Sequence, residues 1–175
     1  MPVLIEALSI VVKRSAIDEK YPGGWSAFVD SIPNSTLCYD DEIARVGFMM
    51  PDDAEAFMKQ LQVNGLALLK DGKAVDFVGV HQFDGLTAAC DWLEFLHTDL
   101  TESGYRVAIC RVVGTSIWAV AAPPNWEYEG SLSQTCGVGN TADTNHLKFL
   151  RHEDGIDVYL NTDTGDEVFV GRTGK

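Results

Sequence analysis

The sequence predicts an α+β fold: a mostly antiparallel sheet, one main amphipathic helix over residues 51–64, and one or two short helices nearer the N-terminus. Three observations predict it. A helical apolar stripe begins just after a proline, and an Asp-Gly pair stands between two apolar runs. Helical patterns fall early in the chain and short strand patterns fill the rest, the order expected when helices cover one side of an antiparallel sheet.

The main helix is the clearest element. Residues 43–50 are apolar enough for a buried strand, and Pro51 stops it. Proline fits the first turn of a helix, where its missing N–H costs nothing. Asp52, Asp53 and Glu55 put negative charge at the positive end of the helix dipole. Ala54, Phe57, Met58 and Leu61 recur at i, i+3, i+4 and i+7, which is one helical face. Asn64-Gly65 supplies the stop, with glycine free to take positive φ. A lone stripe of this kind must be buried against a sheet.

The other elements follow by the same reasoning. Residues 3–12 are continuous, apolar and β-branched, so they predict one buried strand. Residues 16–20 and 25–31 predict short helices, separated by Tyr21-Pro22-Gly23-Gly24. Residues 36–39 and 43–50 predict a hairpin around Asp40-Asp41-Glu42. Residues 66–69 and 75–80 flank Lys70-Asp71-Gly72-Lys73, whose Asp-Gly centre is a strong hairpin signal. Further strands are expected over 92–96, 105–113, 117–122, 147–150, 156–160 and 167–170. Residues 126–145 carry glycines and small polar residues and predict a long irregular loop. The length suits one compact domain over residues 1–175, divisible into a helix-containing sheet unit (1–85) and a strand-rich meander (86–175).

The net charge of −13 is the strongest global signal. It argues against nucleic acid, which wants clustered Lys and Arg, and against an anionic membrane surface. It suits a basic protein partner. No apolar run is long enough to span a bilayer, and the N-terminus reads as a strand rather than a signal peptide. Cys38, Cys90, Cys110 and Cys136 are scattered, with no CxxC pair, which favours reduced thiols and a cytoplasmic location.

Chemistry is sparsely marked. The densest cluster runs from Asp91 through Glu94 to His97. On a strand, Glu94 shares a face with Trp92 and Leu96. A desolvated Glu94 would have a raised pKa, one route to a catalytic acid; the plainer expectation is a carboxylate paired to Arg106 or Arg111. His81 and Asp84 frame a loop after a strand, so that His81 and His97 would meet if their strands pair. The catalytic candidates are therefore Glu94, His97 and His81, and the ligand- or partner-binding candidates are Asp84, Trp126 and Asp91. Trp126 is expected to be the accessible tryptophan, with Trp92 and Trp118 in the core.

Gly137-Val138-Gly139-Asn140-Thr141 could cradle an anion, but lacks the lysine of a phosphate loop. The stretch from Asn161 misses the glycine and glutamate positions of a calcium loop. Ser131 and Ser133 lie in no G-x-S-x-G pattern. No motif indicates a cofactor or fixes a metal. The leading expectation is an acidic protein-binding or regulatory module in the cytoplasm. The alternative is a small hydrolase, lyase or isomerase with an acid/base or metal site near Glu94 and His97.

Overall fold

The computed structural model describes residues 1–100, 104–137, 147–153, 156–162 and 164–171. Strands β1 (Val3–Ile5) and β2 (Leu8–Lys13) lead into helices α1 (Arg14–Lys20) and α2 (Gly24–Asp30). Strands β3 (Cys38–Tyr39) and β4 (Ile43–Phe48) precede α3 (Pro51–Val63). Then come β5 (Leu69–Lys70), β6 (Lys73–Ala74), β7 (Phe77–His81), β8 (Gly85–Leu86), β9 (Leu93–Asp99) and β10 (Arg106–Val112). A 3₁₀ turn, Leu132–Gly137, and the strands β11 (Leu147–Glu153), β12 (Ile156–Asn161) and β13 (Glu167–Gly171) follow. The α+β class is as expected, and every pairing between these strands is antiparallel.

Two sheets stack, and the helices cover one of them. The first sheet has the order β3-β4-β2-β7-β8, and the second β1-β10-β9. Alternation along the strands explains the layering. Ile10, Val12, Ala44, Val46 and Phe77 turn toward the helices and pack with Phe28, Phe57 and Leu61. Their neighbours Val11, Ile43, Val78 and Val80 turn the other way and pack against Val3, Ile5, Ala108 and Cys110 of the second sheet. The far side of the second sheet presents Leu4, Val107 and Ile109, which Val120, Ala122, Trp126 and Tyr128 cover. A third sheet, β11-β12-β13, closes the chain.

Helix α3 matches its pattern, with Ala54, Phe57 and Leu61 buried and Met58 packed beside them. Gly65 takes a φ of 94° just past its end. The Asp71-Gly72 turn has positive φ at both residues (53° and 79°), the conformation a tight hairpin requires. Its paired strands are shorter than expected, only Leu69–Lys70 with Lys73–Ala74, because Phe77–His81 is captured by β2.

Three expectations are corrected. Residues 3–12 are not one strand. The chain breaks at Glu6 and Ala7, where Ala7 has a φ of 48°, and crosses from the second sheet to the first. Gln82 holds the corner: its Oε1 accepts from Ala7 N (2.8 Å), and its own N–H donates to Ala7 O (2.9 Å). Residues 117–122 form no strand, but touch the edge of β1 through a single bridge at Ala121. Pro123 and Pro124 have no N–H with which to extend a ladder. Trp118 accordingly lacks the alternation that would bury it and is 76% exposed, while Trp92 is partly buried against the second core. Within the expected 126–145 loop, the described part includes the 3₁₀ turn; residues 138–146 lie outside the described residues. Among the described residues no helix is long and apolar enough to cross a membrane.

Leu61 is fully buried beneath α3. Leu61→Ala is expected to cost about 2–5 kcal/mol in urea unfolding, as a large-to-small core change; a loss below about 0.5 kcal/mol would mean the helix face is not seated in the core.

Candidate functional site

The corner between β1 and β2 organises the most built-up polar site among the described residues. Glu6 stands there, and its Oε1 accepts three hydrogen bonds: from Trp126 Nε1 (3.1 Å), Ser133 N (3.0 Å) and Ser133 Oγ (2.7 Å). The Glu6 carbonyl accepts from Ser9 Oγ (3.1 Å) and Arg45 Nη2 (2.9 Å). One residue thus ties the start of the first sheet to the segment that covers the second.

Arg45 is the largest fully buried side chain, only 2% exposed. It sits on the face of β4 that looks toward the second sheet. Its Nε donates to Ser9 Oγ (2.8 Å), its Nη1 to Thr36 O (3.3 Å) and its Nη2 to Glu6 O (2.9 Å). All three acceptors are uncharged, and no described carboxylate forms an ion pair with it. The guanidinium lies flat across Gly47, two residues along the strand. A Cβ added at Gly47 would stand 2.5 Å from Nη2 and 2.7 Å from Cζ.

Arg45 and Gly47 lie in the wall of a cleft of about 710 Å³. The cleft runs between the N-terminal end of α3, the 33–36 loop and the 123–132 segment. Phe48, Met50 and Trp126 give it an apolar lining. Glu6, Asp53, Glu127 and Glu129 give it four carboxylates. Asp53 and Glu127 are exposed and pair with no described cation. Glu129 accepts from Tyr105 Oη (2.7 Å); that bond holds its carboxyl below the ordinary range and raises the Tyr105 phenol. The site is therefore acidic and apolar at its opening, with its one guanidinium buried.

Of the residues singled out from the sequence, Trp126 lines this cleft. The others are distributed elsewhere. Glu94 is in register with Arg111 across β9 and β10, and accepts from its Nε at 2.6 Å. Its side chain is 44% exposed, so it does not stand on a desolvated face. The arginine pair expected as the plainer outcome is what the strands hold. His97 packs edge-on against Phe95, with ring centroids 5.2 Å apart. His81 Nδ1 lies 3.2 Å from Asp84 Oδ2. Asp91 accepts from Lys73 Nζ at 2.6 Å. Among the described residues, no group of three or more His, Cys, Asp and Glu side chains is placed to hold a metal ion. Residues 138–141 of the glycine-rich stretch lie outside the described residues.

Glu6 and Arg45 were missed by sequence reasoning, although each carries a signal. Both are charged residues inside otherwise apolar runs, 3–12 and 43–50. A charge there must be satisfied internally, because an unpaired buried charge is expensive.

Cys38 and Cys110 are buried, and Cys90 is partly buried. Burial pushes the Cys38 thiol up to about 11, and pushes Cys110 up further. A nucleophilic cysteine needs the opposite shift. Compared with known proteins, the chain matches no protein-family profile, no curated protein and no solved structure.

Two outcomes follow from these contacts. Gly47→Ala forces a Cβ into a guanidinium that three hydrogen bonds hold in place, so it should destabilise by about 1–3 kcal/mol as an overpacked site does; a neutral substitution would show Arg45 free to move. The Cys38 thiol is raised in the fold, from 9.0 to about 11, so its contribution is complete below pH 9 and is lost as pH rises toward 11. Its part of the fall in unfolding free energy should reach about 1.4 kcal/mol per pH unit. Denaturant titrations from pH 8 to 11 should show a shallower fall in Cys38→Ala, and an unchanged slope would contradict the burial.

Proposed function

We propose that this chain is an acidic binding module that takes a basic protein partner in the cleft beside α3. One observation carries the reading: among the described residues, four carboxylates line a partly apolar cleft, and its one guanidinium is withdrawn into the core. Among the described residues Asp53 and Glu127 meet no cation, and their exposed carboxylates suit lysine or arginine from outside. Trp126 and Met50 offer apolar surface for the aliphatic stems of those side chains, and an indole also attracts a cation over its face.

The net charge of −13 supports the same reading at longer range. A strongly acidic surface raises the encounter rate with a basic partner and loses that advantage as salt rises. The free thiols of Cys38, Cys90 and Cys110 support a reducing, cytoplasmic setting. The acid/base alternative has less behind it. Glu94, His97 and His81 each belong to a separate local contact.

A labelled hexapeptide rich in lysine and arginine is the test. It should bind at low salt and weaken as salt rises. Asp53→Lys with Glu127→Lys, both on exposed positions, should weaken it about tenfold or more, a change of about 1.4 kcal/mol or more. Glu19→Lys with Asp99→Lys changes the net charge equally away from the cleft and should cost much less. Equal losses from the two pairs would show attraction without a site, and would overturn the reading.

A further inference from the structure

Glu6 differs from the other three carboxylates of the cleft in how it is held. Asp53, Glu127 and Glu129 are exposed, whereas Glu6 is partly buried at the corner between β1 and β2. Its Oε1 accepts from Trp126 Nε1, Ser133 N and Ser133 Oγ, which fixes the carboxylate in one orientation. Its Oε2 accepts no hydrogen bond among the described residues. None of the buried side-chain oxygens and nitrogens among the described residues lacks a partner, so Oε2 is open to solvent. Arg45 makes no ion pair with it. That guanidinium donates to the Glu6 carbonyl and turns its other donors to Ser9 and Thr36.

We propose that Glu6 Oε2 is the acceptor for a lysine ammonium of the basic partner, and that the cleft thereby selects lysine over arginine. The inference rests on the binding reading above and narrows it to one side chain. A guanidinium is a planar fork that gains most when it meets both oxygens of a carboxylate. Glu6 offers only one, because Oε1 already takes three donors. An ammonium is a compact point charge, and a single fixed oxygen suits it. The lining suits the rest of the side chain. Phe48, Met50 and Pro123 give apolar surface for a four-carbon stem, and Trp126 is held beside the same carboxylate by its own N–H. Asp53 and Glu127, exposed at the opening, attract either cation and do not distinguish them. A volume of about 710 Å³ lies within the range of ligand-holding clefts.

The experiment compares labelled hexalysine and hexaarginine, equal in charge, by fluorescence anisotropy on the intact chain. Hexalysine should bind about fivefold or more tightly, within the worth of one hydrogen bond to a charged group. General attraction gives the opposite order, since a guanidinium is more weakly hydrated and stacks on aromatic faces. Saturating hexalysine should also shift the Trp126 indole N–H resonance, because that N–H shares the Glu6 carboxylate. Glu6→Gln keeps an acceptor for Trp126 and Ser133 but puts an amide group in place of the open oxygen, so the two peptides should then bind within about twofold of each other. Equal binding of the two peptides to the wild type, tighter binding of hexaarginine, or an unmoved Trp126 resonance overturns the Glu6 role and leaves the basic-partner reading standing. So does a lysine preference that survives in Glu6→Gln. Failure of both peptides to bind at millimolar concentration overturns both readings. The wild-type affinities and the Trp126 resonance need no variant, so they decide the matter even where Glu6→Gln does not fold.

Discussion

The hydrogen bonds around Arg45 join parts of the chain that local structure does not bring together. Its guanidinium reaches the carbonyl of Glu6, 39 residues away, the hydroxyl of Ser9, and the carbonyl of Thr36 in the loop leading to β3. The corner between β1 and β2 is therefore fixed from the strand beside it. That corner decides how the two sheets stack, because β1 belongs to one and β2 to the other. Removing such a group leaves several backbone and hydroxyl acceptors unsatisfied in the interior, which costs more than the net worth of any one bond.

Glu6 carries the same corner outward. Its carboxylate accepts from Trp126, 120 residues along the chain, and from both donors of Ser133. The covering segment is thus anchored from beneath, and Trp126 is held with one edge on the third apolar cluster and its N–H on Glu6. The two charged residues line the same cleft, yet their polar atoms go to different partners. Arg45 donates to two backbone carbonyls and the Ser9 hydroxyl, while the Glu6 carboxylate accepts from the Trp126 and Ser133 donors.

What could be read from the sequence was what local chemistry determines. Pro51, the acidic first turn, the stripe from Ala54 to Leu61 and the Asn64-Gly65 stop all lie within one helix, and each signal agrees with the next. The Asp71-Gly72 turn is equally local. The break at Ala7 was hidden because no glycine announces its positive φ, and the flanking residues are mostly apolar strand formers. Residues 117–122 have the composition of a strand but serve as a lid, with Val120 and Ala122 packed on the outer face of the second sheet. An apolar run looks the same in either role. Trp126, expected to be the accessible tryptophan, is partly buried with its N–H on Glu6, and Trp118 is the exposed one; Glu6 and Arg45 depend on partners distant in sequence and gave only the clue of a charge out of place.

The lid also governs how the second sheet ends. Leu4 N donates to Ala121 O (2.9 Å) and Ala121 N donates to Pro2 O (2.8 Å), so the outer rim of β1 is occupied where it would otherwise offer a row of free amides and carbonyls. An exposed strand rim is a template on which another chain can add itself. The occupant makes a poor template in its turn, because Pro123 and Pro124 follow directly and have no amide hydrogen to offer. At the rim of the first sheet, β3 and β8 are two residues each, too short to seed a long ladder. The bridge at Ala121 therefore limits which backbones can pair with this one.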